Sequence, residues 1–206
     1  MLGKYFKTIV FLMTILSLFI ITSCSSLGNN IISTESDISN GVRLSELGES
    51  QFLNLGFRSE YDEIADETIY RPSEIHFSSL GVEPIIVKDN STGKYTADVF
   101  FYYDGQDWIF FDKLIIKTDN NTYDKTFDLS ELDRNVYSSG GGEVLEKATV
   151  RIDNNNYEMF DDMATSSKVL IRFQGEHSRD LELTDLEKHN LYNTVQLFEC
   201  DRETSD

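Results

Sequence analysis

Proline and cysteine each occur only twice in 206 residues, histidine three times and tryptophan once. So little proline excludes collagen-like and polyproline chains, and 14 Phe with 10 Tyr argue against global disorder. Neither H-x₃-H nor C-x₂-C occurs, the tight spacings from which zinc sites are built. Basic residues are also scarce: 18 Lys and Arg stand against 36 Asp and Glu, a net charge of −18. A surface of that sign repels phosphate backbones and anionic headgroups, so nucleic acid is not expected as a partner. The length suits one core of roughly 100–200 residues rather than a multidomain enzyme.

Long apolar runs are missing too, except at the start. Residues 1–23 hold Lys4 and Lys7, no acid, and an apolar run from Ile9 to Ile21, broken only by Thr14 and Ser17, that is followed by Thr22-Ser23-Cys24. A basic head, an apolar middle and small residues at the end are the parts of an export signal. As a helix, Thr8 to Thr22 would reach only about 22 Å, short of a ~30 Å hydrocarbon core, so a signal peptide over 1–23 is favoured over a spanning helix.

The tetrapeptide Ile21-Thr22-Ser23-Cys24 resembles the lipobox of bacterial lipoproteins, with Ile where Leu is commonest. The resemblance implies cleavage before Cys24, a diacylglyceryl group on its thiol, and an acyl chain such as palmitate on the new amino terminus. It places the chain at the cell envelope, membrane-anchored and facing the periplasm or the cell exterior. Ser25, not Asp, follows the lipid cysteine, which by the same resemblance does not favour inner-membrane retention. Each buried CH₂ contributes about 0.8 kcal/mol, so two or more chains hold stably. Loss of 1–23 moves the charge from −18 to −20, because Lys4 and Lys7 leave and no acid does. The membrane contact is then expected to be the lipid alone. Cys200 becomes the sole remaining thiol, so no internal disulfide is expected.

Residues 25–41 are polar and Ser/Asn-rich, a flexible tether of roughly 20–25 Å after the lipidated Cys24. A single domain is expected over 42–200, with a polar tail at 201–206. In 42–68 the apolar residues lack a clear period, and Ser59 to Ile64 suggests a short helical turn. From Glu74 onward, period-2 alternation predicts strands at Glu74–Leu80, Pro84–Lys88, Lys94–Tyr103, Trp108–Lys117, Tyr123–Leu129, Val144–Ile152 and Lys168–Gln174. Asp89–Gly93 and Asp104–Asp107 read as hairpin turns, giving a meander. Asp153 to Asn156 predicts a turn and cap before a short helix with Tyr157, Phe160, Met163 and Ala164 on one stripe. Thr184-Asp185-Leu186-Glu187 is a capping box opening a helix over 185–200, with Leu191, Val195 and Phe198 along one side. The fold class is therefore a β-rich α+β domain, an antiparallel sandwich or open barrel with the C-terminal helix packed on it. The segments Trp108…Leu114-Ile115-Ile116, Lys168 to Gly175 and Thr184 to Lys188 are faintly similar to domains of uncharacterised exported bacterial proteins, a likeness that implies no active-site residue.

The search for chemistry yields few candidates. His76, His177 and His189 fall on separate segments and read as packed or solvated side chains. Asp89-Asn90-Ser91-Thr92-Gly93 and Asp119-Asn120-Asn121-Thr122 have oxygens at alternate positions, but the twelfth position holds Phe100 or Ser130 where a calcium loop needs an acid. Both read as turns. Gly140-Gly141-Gly142-Glu143 lacks the Lys-Ser/Thr of a phosphate loop and reads as a mobile hairpin or bulge. No metal or cofactor is expected. Two acids fall on core-facing registers: Asp112, beside Trp108, Phe110 and Leu114, and Glu146, beside Val144 and Ala148. Buried charge is costly unless paired, so Glu146 is expected to find Arg172 or Arg151, or to sit at the sheet rim. Among the aromatics around residues 100–111, Tyr102 and Tyr103 are the expected exposed exceptions, suited to a protein or glycan ligand. The function expected is a non-enzymatic binding or structural lipoprotein. The alternatives are a carboxylate-dependent envelope hydrolase and an accessory subunit of an envelope complex.

Overall fold

The structure is a computed structural model that describes residues 47–76, 78–137 and 143–202. Cys24, the tether and the Gly140–Gly142 loop lie outside the described residues. Among the described residues ten strands form two antiparallel sheets, and neither closes into a barrel. The first has the order β1-β2-β3-β4-β8-β7, built from β1 (Phe57–Asp62), β2 (Glu67–Pro72), β3 (Leu80–Asp89), β4 (Tyr95–Gly105), β7 (Leu132–Tyr137) and β8 (Glu143–Arg151). The second is β10-β9-β5-β6, from β5 (Lys113–Lys117), β6 (Thr122–Thr126), β9 (Leu170–Gln174) and β10 (Arg179–Glu182). Among the described residues three α-helices, α1 (Glu49–Asn54), α2 (Tyr157–Thr165) and α3 (Asp185–Arg202), complete a β-rich α+β sandwich. Among the described residues no helix is long and apolar enough to cross a membrane.

Alternation along the strands decides which face is dry. Leu80, Val82 and Ile86 of β3 share a face with Ala97, Val99 and Phe101 of β4 and with Val144, Ala148 and Val150 of β8, and all are buried. Leu114, Ile116, Ile171 and Phe173 supply the matching face of the second sheet, and residues of both sheets and all three helices join one hydrophobic cluster. Each of the larger of these side chains, Val, Leu, Ile or Phe, contributes about 1.5–3 kcal/mol when removed from water. Helix α2 buries Tyr157, Met159, Phe160 and Met163, and the Phe160 ring stacks 6.4 Å from Phe101. Helix α3 packs on α2 and β3 and buries Leu191 and Val195, with Phe198 beside Tyr157.

Several local expectations are overturned. Ser59 to Ile64 is no helical turn: β1 continues to Asp62, whose carboxylate accepts the amides of Ile64 and Ala65, and Asp66 takes φ 54° to bring the chain into β2. Of the residues expected as the strand Glu74–Leu80, the described 74–76 and 78–79 lie outside any strand, and β3 begins at Leu80. The carbonyl of Glu74 accepts from Asn190 of α3, and that of Ser79 accepts from the Asp104 amide. The chain does not turn back at Asp104–Asp107 as a hairpin either. Strand β4 pairs with β3 and β8, and the next strand, β5, belongs to the other sheet. At the start of α2, Asn156 stands at the cap position, but its side chain turns back to the Asp153 amide and the Arg151 carbonyl. Asp153 instead holds the turn by accepting the amides of Asn155 and Asn156. The box at α3 forms as read: the Thr184 amide donates to Glu187 Oε2 at 2.8 Å, and the Glu187 amide donates to Thr184 Oγ1 at 3.2 Å.

A polar clasp ties α2 to the β5–β6 hairpin. Asp162 accepts from the hydroxyls of Thr118 (2.7 Å) and Tyr123 (3.1 Å), from the Asn121 amide group (2.9 Å) and from the Ser166 hydroxyl (3.3 Å). Burial pushes the Asp162 carboxyl up, but these four donors outweigh it and hold the group below its ordinary value of 3.8. A carboxyl lowered by folding stabilises above its unfolded value, and that contribution is lost as pH falls through the folded one. Asp162→Asn is expected to cost about 1–2 kcal/mol at neutral pH, since its remaining oxygen can still accept from Thr118, Asn121 and Tyr123 but without the charge that strengthens those bonds. The gap should narrow on going from pH 6 toward pH 2.5, as thermal midpoints measured across that range will show.

Candidate functional site

The passage between the two sheets is where side chains and backbone depart from the ordinary. Between β4 and β5 the chain runs through Trp108, Ile109, Phe110 and Phe111, and Phe110 takes φ 52°, a left-handed backbone that costs a bulky residue roughly 1–2 kcal/mol. That one residue shifts the alternation. The sequence pattern placed Trp108, Phe110, Leu114 and Ile116 on one face, whereas the structure buries Ile109 and Phe111 together with Leu114 and Ile116. Asp112 accordingly lies exposed. Its backbone, not its carboxylate, is used: the amide donates to the Gln174 carbonyl, and the carbonyl accepts from the Phe127 amide.

Glu146 enforces the unusual turn. It sits on the core face of β8, is fully buried, and receives three successive amides: Ile109 (2.7 Å) and Phe110 (2.8 Å) on Oε1, and Phe111 (3.1 Å) on Oε2. Arg134 of β7, directly opposite in register, donates its Nε to Oε2 at 3.2 Å and its Nη2 to the Phe111 carbonyl at 2.9 Å. Successive amides converging on an anion form a backbone nest, and here the anion comes from the protein itself. The partner expected from sequence is corrected: Arg151 forks onto Asp98 across β4 and β8, and Arg172 onto Asp180 across β9 and β10. Arg134 was overlooked because β7 carries no apolar alternation, yet it stands across the ladder from Glu146.

The opposite side of the turn is closed by Gly175. A Cβ there would overlap the backbone of Ile109 and Phe110, so only glycine lets the end of β9 approach. The Ile109 carbonyl then accepts the His177 amide at 3.1 Å. The turn is thus clamped from both sheets, and its outward product is an aromatic pair. The ring of Phe110, 39% exposed, stacks on the half-buried Trp108 at 5.7 Å and 23°, with the Arg134 guanidinium 5.5 Å from its centre. Val136, 61% exposed, follows Arg134 on the same face of β7. The exposed aromatics expected from sequence are displaced: Tyr103 is buried and Tyr102 half-buried, and within residues 100–111 the exposed ring is Phe110, while Tyr61 and Tyr137 elsewhere are more exposed.

The remaining candidates serve local structure. Asp89 accepts the amides of Ser91 and Thr92 and the Ser91 hydroxyl, and these bonds lower its carboxyl to about 2, as a turn requires. Asp119 accepts the amides of Ser167 and Lys168, tying the β5–β6 turn to the end of α2. His189 contacts Asn193 one turn on along α3, His177 is exposed, and His76 borders a small pocket beside Tyr102. Among the described residues no group of three His, Cys, Asp or Glu is placed to hold a metal ion. Cys200 falls in the last turns of α3. No family model, curated protein or solved structure matches the chain.

Proposed function

We propose that the chain is a lipoprotein of the cell envelope, anchored through Cys24, whose sandwich is a non-enzymatic binding module that meets its partner at the Trp108–Phe110 turn. The anchor rests on the basic, apolar and Ile21-Thr22-Ser23-Cys24 pattern in the first 24 residues. The binding role rests on one observation: an exposed phenylalanine held in left-handed backbone by a buried carboxylate. Strain of this kind persists only where its surroundings over-determine it, and it concentrates at ligand clamps and active sites. Hydrolysis is the weaker reading, because both oxygens of Glu146 are engaged by four donors and the group has no exposure to solvent.

Two measurements test the two halves. Labelled fatty acid is expected to enter the wild-type chain and not Cys24→Ala, and equal labelling would remove the anchor. Phe110→Gly relieves the φ of 52° and is expected to leave the thermal midpoint unchanged or raise it by a few degrees. The same variant should lose whatever the wild-type chain captures from native membranes. Identical capture by both would move the binding surface elsewhere.

A further inference from the structure

A second site stands apart from the aromatic turn, where the amino end of α3 meets β3, β4 and the strap 72–76. Glu187 is 3% exposed, and its two oxygens have different fates. Oε2 is spent on the cap, accepting both the amide and the hydroxyl of Thr184 at 2.8 Å. Oε1 is buried and has no partner, which is costly for a charged group. Glu187 lines a pocket of about 10 Å³, the room of one water-sized group. Around it stand Pro72, Ile75 and Pro84, and the polar wall is Tyr102 with Glu83, His76 and Asn190. The nearby cation is taken: Arg71 bonds Glu83 at 2.9 Å and reaches Glu60 at 3.8 Å. The Tyr102 ring is fixed in place over Gly81, where a Cβ would overlap it. Burial and then the charges of Glu187, Glu83 and Asp104 push its phenol up.

We propose that this pocket is a socket for a primary ammonium group, the end of a lysine side chain on a partner protein, with Glu187 Oε1 as the charged contact. A water would donate to Oε1 and leave the buried charge uncompensated, whereas an ammonium supplies both the donor and the opposite charge. The pocket has room for the ammonium head alone, and Pro72, Ile75 and Pro84 offer apolar surface to the methylene next to it while the rest of the stem stays outside. A chain of net charge −18 favours a basic partner in the first encounter.

The test is a titration of the isotope-labelled full chain in detergent micelles with n-butylammonium chloride, against sodium chloride at equal ionic strength. Saturable amide shifts centred on residues 76, 102, 187 and 190 are expected with the amine and not with sodium. Glu187→Gln keeps a cap acceptor and removes the charge, so it should weaken the amine at least about tenfold with the fold intact. Tyr102→Phe keeps the ring over Gly81 and should weaken it several-fold. Shifts that do not saturate, equal response to sodium, or unchanged affinity in a folded Glu187→Gln chain would each overturn the socket. If Glu187→Gln does not fold, unchanged affinity in Tyr102→Phe does so instead.

Discussion

Glu146→Ala is expected to destabilise the domain by about 3–5 kcal/mol, the usual range for removing one partner of a buried ion pair. The carboxylate is fully buried and holds three amides and one guanidinium, so its loss orphans the amides of Ile109, Phe110 and Phe111 together with Arg134. Glutamine is no remedy here. Its carbonyl replaces one oxygen, while its NH₂ must face donors that all need an acceptor. For a domain of this size the loss corresponds to a fall in thermal midpoint on the order of 10 °C. Because the vacated nest is a ready anion site, formate or acetate should restore part of the midpoint in Glu146→Ala and none in the wild type. A loss under 1 kcal/mol would show that the carboxylate is not the group organising the turn.

Most strands found by alternation and most missed by it differ in one physical respect, with two exceptions: the edge strand β6 is read from Tyr123–Leu129, and β2, which has neighbours on both sides, is not. Strands β3, β4, β5, β8 and β9 have neighbours on both sides, and their buried faces impose the period-2 pattern that made them readable. Strands β1, β7 and β10 are sheet edges with sequences such as Leu132-Asp133-Arg134-Asn135-Val136-Tyr137, half exposed and polar, and they give no such pattern. The acid on the Val144 face was legible as a buried carboxylate that needed a cation. The identity of that cation was not, because the arginine opposite it stands on an edge strand. The face assignment of residues 108–111 failed for a related reason: alternation assumes extended backbone throughout, and a single left-handed residue reverses it. Both errors meet at the site we consider functional, where local rules give way to a constraint set by distant side chains. The capping box of α3 was readable because its partners are three residues apart and need no tertiary knowledge.

Phe110 and Phe111 are neighbours with opposite duties, and substitution should separate them. Phe111→Ala is expected to cost about 3–5 kcal/mol, because the side chain is fully buried and removal leaves a cavity that the sheets cannot close. Its ring meets Phe173 edge-on at 5.2 Å and 84° and Phe127 at 6.4 Å and 86°, so it binds β9 and the end of the β6 segment to the crossover. Edge-to-face pairs contribute about 0.5–1.5 kcal/mol beyond area, and a double-mutant cycle with Phe173→Leu should return a coupling of that order. The backbone amide of Phe111 also donates to Glu146, and alanine keeps that donor. The carboxylate in Phe111→Ala therefore stays satisfied, and formate should not help it. A chain in which Phe111→Ala and Phe110→Gly lose equal stability would contradict the division between an inward ring that holds the sheets and an outward ring held ready for a partner.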